Sequence, residues 1–129
     1  MRLNLEASEG ILFVSVGGFI TLSRAVDIFQ QACDAAIAHG LNCILVDCLN
    51  AHSDLTDLER YHLGKSMSDY YIARSPAMKV AVVGNPPLVN GFGALVACNR
   101  GLLAQTFPDR QAATNWLNRF RQNTKASKA

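Results

Sequence analysis

Cys43-Ile44-Leu45-Val46-Asp47 is the stretch whose reading decides the fold. Four apolar residues in unbroken succession are too few for a helix and lack the alternation of a half-wet strand. The run therefore reads as a strand buried on both faces, of the kind found inside a parallel sheet. Met78-Lys79-Val80-Ala81-Val82-Val83 repeats the pattern and stops at Gly84. Parallel strands need a crossover between them, usually a helix. After a loop expected over Cys48 to Asp54, the intervening chain supplies one: Thr56-Asp57-Leu58-Glu59 places Thr three residues before Glu, a capping-box start. The helix, with the ragged apolar pattern Leu58, Leu63, Met67, Tyr70 and Tyr71, is predicted to run to about Arg74. Ser75-Pro76 then breaks it.

Working outward, the segment before Cys43 is the clearest helix. Leu22, Ala25, Val26, Phe29, Ala32, Cys33, Ala36 and Ile37 recur at threes and fours, one apolar stripe. Thr21 or Ser23 can cap its start, and His39-Gly40 has the usual chemistry of a helix end. Further back, Arg2-Leu3-Asn4-Leu5-Glu6 alternates like a half-exposed strand. Ser8-Glu9-Gly10 is a turn, and Ile11 to Val16 is a buried strand ended by Gly17-Gly18, so the first two strands form an antiparallel hairpin. Beyond Gly84 comes an Asn85-Pro86-Pro87 turn, a helix from about Val89 to Arg100, a short strand Gln105-Thr106-Phe107, and a final helix opened by Pro108-Asp109 with the stripe Ala112, Ala113, Trp116, Leu117 and Phe120. The order β-β-α-β-α-β-α-β-α predicts an α/β fold: one mostly parallel, mixed sheet of about five strands, an antiparallel edge strand, and about four helices packed on it.

The chain has 129 residues, 50% hydrophobic and 17% charged, which suits one globular domain and excludes a disordered chain. Net charge is +2, too small for a nucleic-acid binder. The charge is uneven: residues 1–108 carry seven Lys/Arg against nine Asp/Glu, and residues 109–129 carry five against one. A domain over 1–120 followed by a flexible basic tail over 121–129 is expected. No run is long and apolar enough for a transmembrane segment, and the N-terminus has no secretory core. Cys33, Cys43, Cys48 and Cys98 sit in apolar contexts without CxxC spacing, which predicts buried thiols and a cytoplasmic protein with no metal site.

Several segments resemble a known group. Gly17-Gly18-Phe19-Ile20-Thr21, Ile44-Leu45-Val46-Asp47, Lys79 to Gly84, Asn99-Arg100-Gly101 and Phe107 to Leu117 resemble the STAS domain, the fold of bacterial anti-sigma-factor antagonists and sulfate-transporter tails, over about residues 3–120. More closely, the chain is similar to small bacterial STAS-like proteins that share this topology with lipid-binding CRAL-TRIO domains. The resemblance implies a non-catalytic regulatory module working through protein contact. In anti-sigma-factor antagonists a phosphorylatable Ser or Thr within Asp-Ser-Ser-Gly opens the helix after the third strand. Here Asp54-Leu55-Thr56-Asp57 matches that place, with Leu55 and Asp57 standing where the pattern has Ser and Gly.

The residues leave alternatives open. Thr56 is a helix cap, a modification site, or both; Ser53 lies one step outside. Asp47, where a buried strand emerges, accepts loop N–H groups or helps hold a cation with Asp54 and Asp57. Open parallel sheets place ligands outside the carboxyl ends of their strands. That makes Asn85 and Asn90 candidates, although the glycines of 84–93 lack nucleotide-loop spacing. The second helix bunches Tyr61, Met67, Tyr70 and Tyr71 with ragged periodicity, which marks core or a surface for a partner or ligand. Ser53 or Cys48 with His52 or His62 forms no motif for catalysis, so no catalytic residue is assigned. Two readings result: a regulatory module contacting a protein of unidentified kind, with a homodimer as one form, or a module binding a small apolar or anionic, lipid-like molecule. No cofactor is implied.

Overall fold

The two buried runs lie side by side: Ile44 pairs with Val80 and Val46 with Val82, in parallel. Around them the computed structural model describes residues 2–128, with side chains as far as Phe120. The chain runs β1 (Arg2–Ser8), β2 (Ile11–Phe19), α1 (Leu22–Ala38), β3 (Cys43–His52), α2 (Asp57–Arg74), β4 (Lys79–Val83), α3 (Phe92–Asn99), β5 (Leu103–Phe107) and α4 (Arg110–Lys128). The strands lie in the order β1-β2-β3-β4-β5, with β1 antiparallel to β2 and every other pair parallel. The hairpin closes Ser8 on Ile11 through Glu9 and Gly10, both at positive φ (52° and 81°), the two-residue turn that matches strand twist.

This order has a consequence for the faces. Each parallel strand is added beside the last, always in the same direction, so right-handed crossovers put α1, α2 and α3 on one face. Val14, Ile44, Val46, Val80 and Ala104 pack with those helices. The alternate residues Ile11, Cys43, Leu45, Ala81 and Val83 point the other way, onto Ala113, Trp116 and Leu117 of α4. Because α4 follows the last strand, no crossover dictates its side, and it covers the face the others leave bare. The strand order never reverses, so the sheet has no switch-point crevice. Any ligand space must lie between the sheet and one helix layer.

Several boundaries differ from the sequence expectation. β2 does not end at Gly17-Gly18, and Cys48 to His52 is not a loop. After a register shift, Gly17, Gly18 and Phe19 pair with Asn50, Ala51 and His52, so ladder bonds hold backbone that a turn would have left open. α3 starts at Phe92 and not near Val89, because Gly91 at φ 86° caps it in the left-handed region. On α1 the buried stripe gains Ile28, while Ile37 is 43% exposed. α4 is helical to Lys128; the side chains of the expected basic tail (Arg121, Lys125, Lys128) lie outside the described residues.

Candidate functional site

Burial of a sheet under three helices requires the helices to meet closely, and they meet through small residues. Gly64 of α2 abuts the Gly93 carbonyl and Val96 of α3 so tightly that an added Cβ would stand 2.6 Å from that oxygen. Towards α1 the contacts are polar. The Tyr70 hydroxyl donates to Asp34 at 2.8 Å, and the buried Tyr71 hydroxyl donates to the Phe29 carbonyl. α2 is therefore wedged between α1 and α3, which explains its ragged stripe: it has two flanks to satisfy as well as the sheet. Burial pushes the Tyr71 phenol well above its ordinary pKa, and the bond to Asp34 raises that of Tyr70.

Where α2 begins, the layer stays open. A cavity of about 100 Å³ lies over the carboxyl ends of the parallel strands. Val46, Val82 and Ala104 floor it, Ile28 and Met67 wall it from α1 and α2, and Leu88 and Val89 close one end. Val89 holds its place because Gly84 has no side chain; a Cβ there would lie 2.5 Å from a Val89 methyl. Cys48, Arg60, Asn90 and Thr106 are the polar side chains of the wall. The Cys48 thiol is pushed up to about 12, first by burial and then by the Asp47 charge, so it stays protonated and apolar in character at neutral pH.

Arg60 joins the cavity to the helix start. Its side chain is only 12% exposed. One terminal nitrogen donates to the Leu55 carbonyl at 2.7 Å and lies 3.6 Å from Asp57. The other donates to the carbonyls of Pro87 and Leu88. One guanidinium thus ties the loop before α2 to the loop before α3. No motif marks it in the sequence; its only signal is a single Arg one turn past the cap.

The residues singled out from sequence fall in three places. Thr56 is the N-cap of α2: its hydroxyl accepts from Glu59 N at 3.1 Å while the Glu59 carboxylate accepts from Thr56 N at 2.9 Å, a complete capping box. Asp54 and Asp57 are exposed beside it. Ser53 turns its hydroxyl inward, buried and with no hydrogen-bond partner among the described residues. Asp47 is on the opposite, α4 face, accepting from Leu49 N at 2.9 Å and paired with Arg110 at 3.0 Å. It does not meet Asp54 or Asp57 in any cluster able to hold a metal among the described residues. Met67 and Tyr71 are core, Tyr70 is half-buried, and Tyr61 is 40% exposed. Asn90 and Asn85 are both exposed; Asn90 also borders the cavity and accepts from Phe92 N at 3.0 Å. The residue missed on the outer face is Leu58, 66% exposed though it fits the apolar pattern.

The catalytic possibilities do not assemble. Ser53 has no base on its hydroxyl. His62 is exposed against the Tyr61 ring, 5.6 Å between centroids, and His52 is exposed at the end of β3. None of the cysteines is disulfide-bonded. No described helix is long and apolar enough to cross a membrane.

Known structures share this fold. An anti-sigma factor antagonist from Mycobacterium paratuberculosis superposes with a TM-score of 0.61 at 18% identity, over 91% of this chain and 93% of that one. An uncharacterized protein of the DUF3478 family with a SpoIIAA-like fold, from Shewanella loihica, gives 0.54 at 18% identity, over 90% and 92%. The anti-sigma factor antagonist SpoIIAA in its unphosphorylated form gives 0.54 at 13% identity, over 91% and 98%. The chain therefore has the STAS-like, SpoIIAA-like fold that its sequence resembles. No protein-family model matches it, and no curated protein matches it either.

Proposed function

We propose that this chain is a non-catalytic STAS-like regulatory module that acts by contacting another protein through the start of α2 and the loop before it. The observation that carries the reading is Leu58. At 66% it is the most exposed large hydrophobic side chain among the described residues, and with Tyr61 (40%) one turn on it forms a small apolar patch rimmed by Thr56, Asp54 and Asp57. Two of the structural neighbours are anti-sigma factor antagonists, which supports regulation as the purpose of such a face. Thr56 is the group a kinase could reach, since Ser53 is turned inward. A phosphate there would keep acceptors for the Glu59 N–H at the helix start but set its charge against Asp54, Asp57 and Glu59. The test is capture with tagged wild-type protein, Leu58→Asp, Tyr61→Ala and Thr56→Glu. Ile37→Ser, an exposed apolar change on α1, serves as the control. A partner, or a second copy seen by light scattering, should be lost in the α2 variants and kept by the control. Equal capture by all five proteins removes this face from consideration.

A second reading, binding of a small molecule, is favoured by a separate observation: the apolar cavity beneath α2. Globular interiors are close-packed, and a space of this kind at the strand ends is where ligands are held in α/β proteins.

A further inference from the structure

We infer that the cavity takes a small uncharged apolar molecule and discriminates against anions, because the terminal nitrogens of Arg60, the cation among the described residues of its wall, already serve backbone carbonyls. The inference rests on the small-molecule reading and narrows it. The cavity is about 100 Å³, somewhat smaller than the apolar cavity of about 150 Å³ that accommodates benzene in another protein. That size suits one ring or a chain of roughly four to six carbons, and nothing as long as a membrane lipid tail.

The chemistry of the wall sets the class. Of its four polar side chains, Cys48 holds its proton, since burial pushes the thiol up to about 12. The Asn90 carbonyl oxygen is engaged by Phe92 N. Arg60 is the charge that would draw a carboxylate or phosphate. Its two terminal nitrogens already serve the carbonyls of Leu55, Pro87 and Leu88, with Asp57 beside them. An anion would have to take the terminal donors from three backbone carbonyls or make do with Nε–H, and in either case approach a carboxylate that is already there. The first turn of α3, at Gly93 and Ala94, also borders the cavity. The partial charge at the end of a two-turn helix returns far less than the desolvation of an anion costs. A neutral hydrocarbon meets neither penalty. The Thr106 hydroxyl and the Asn90 side-chain NH2 are neutral groups of the wall that suit one hydroxyl or carbonyl on the occupant.

The test uses the full chain with benzene and hexanoate as probes, followed by the methyl signals of Ile28, Met67 and Ala104, which line the cavity. Benzene should shift those signals saturably, and hexanoate should bind at least tenfold more weakly. Val82→Phe places a ring in the same space and should weaken benzene binding at least tenfold with an unchanged circular dichroism spectrum. Ala94→Leu fills it from the α3 side should Val82→Phe fail to fold. Hexanoate binding as tightly as benzene overturns the inference and leaves small-molecule binding standing. Silence of all three signals with both probes overturns the inference together with the reading beneath it. Benzene shifts that persist in a folded cavity-filling variant place the probe elsewhere and overturn the assignment.

Discussion

Replacing Gly64 with alanine sets two effects of opposite sign against each other. Inside a helix, glycine is about 1 kcal/mol less favourable than alanine, so on propensity alone Gly64→Ala stabilises. Packing opposes it. The new Cβ would stand 2.6 Å from the Gly93 oxygen and 2.9 Å from the Val96 Cβ, where ordinary contact begins at 3.4 Å. Neither neighbour is a flexible chain end: one is backbone, and the other is the branch point of a stiff, buried valine. α3 must therefore retreat by several tenths of an ångström, and overpacking of this kind costs about 1–3 kcal/mol. With a backbone atom as the closest contact, the upper half of that range applies, so packing wins. The net loss is about 1–2 kcal/mol, a fall in the urea midpoint of roughly half to one molar at an unchanged slope. Ser66→Ala, at an exposed position of the same helix, isolates propensity and should gain a few tenths of a kcal/mol. A Gly64→Ala midpoint equal to or above wild type, with Ser66→Ala behaving as stated, refutes the close α2–α3 crossing.

Three further outcomes are expected. Thr56→Ala removes the hydroxyl that accepts from Glu59 N and should cost about 1 kcal/mol in urea unfolding, while Thr56→Ser should cost little. Arg60→Met leaves the Leu55, Pro87 and Leu88 carbonyls without their charged donor. It should lower stability by about 2–4 kcal/mol and speed proteolytic cutting within 85–91, measured by limited digestion. Stability should also fall in alkali. Cys48 and Cys33 are raised from 9.0 to about 12 and about 11, chiefly by burial, so above pH 9 the folded chain holds protons that the unfolded chain has lost. The stabilisation is full below pH 9 and is lost as pH climbs towards those values. Midpoints that stay level from pH 8 to 10.5 in wild type, and match those of Cys33→Ala/Cys48→Ala, contradict it.

The elements were legible wherever local pattern and local chemistry agree. The unbroken apolar runs became β3 and β4, and Thr56 with Glu59 became the capping box, because these signals act within a few residues. Boundaries failed where a distant partner decides. Asn50 to His52 read as loop, yet they are strand because Gly17 to Phe19 lie beside them after a register shift. The site was only half visible. Thr56, Asp54 and Asp57 stand out by position, whereas Met67 and Tyr71, which could equally be core or a partner or ligand surface, are buried, Met67 beside the cavity. Arg60 went unnoticed because its acceptors include backbone carbonyls 27 and 28 residues away.

The amino-acid order by itself determined that strands and helices alternate, that β1 and β2 form a hairpin, and where the helices α1 and α2 begin. Hydrophobic period and cap chemistry are properties of neighbouring residues, so no other part of the chain is needed to read them. Tertiary structure decided that Asp47 faces α4 and Arg110 while Cys48 faces the cavity. It also decided that α2 is gripped on both flanks and that a space stays open beneath its first turns. Those outcomes depend on which side chains of remote segments meet, and on how nearly their volumes fill the gap between a sheet and three helices.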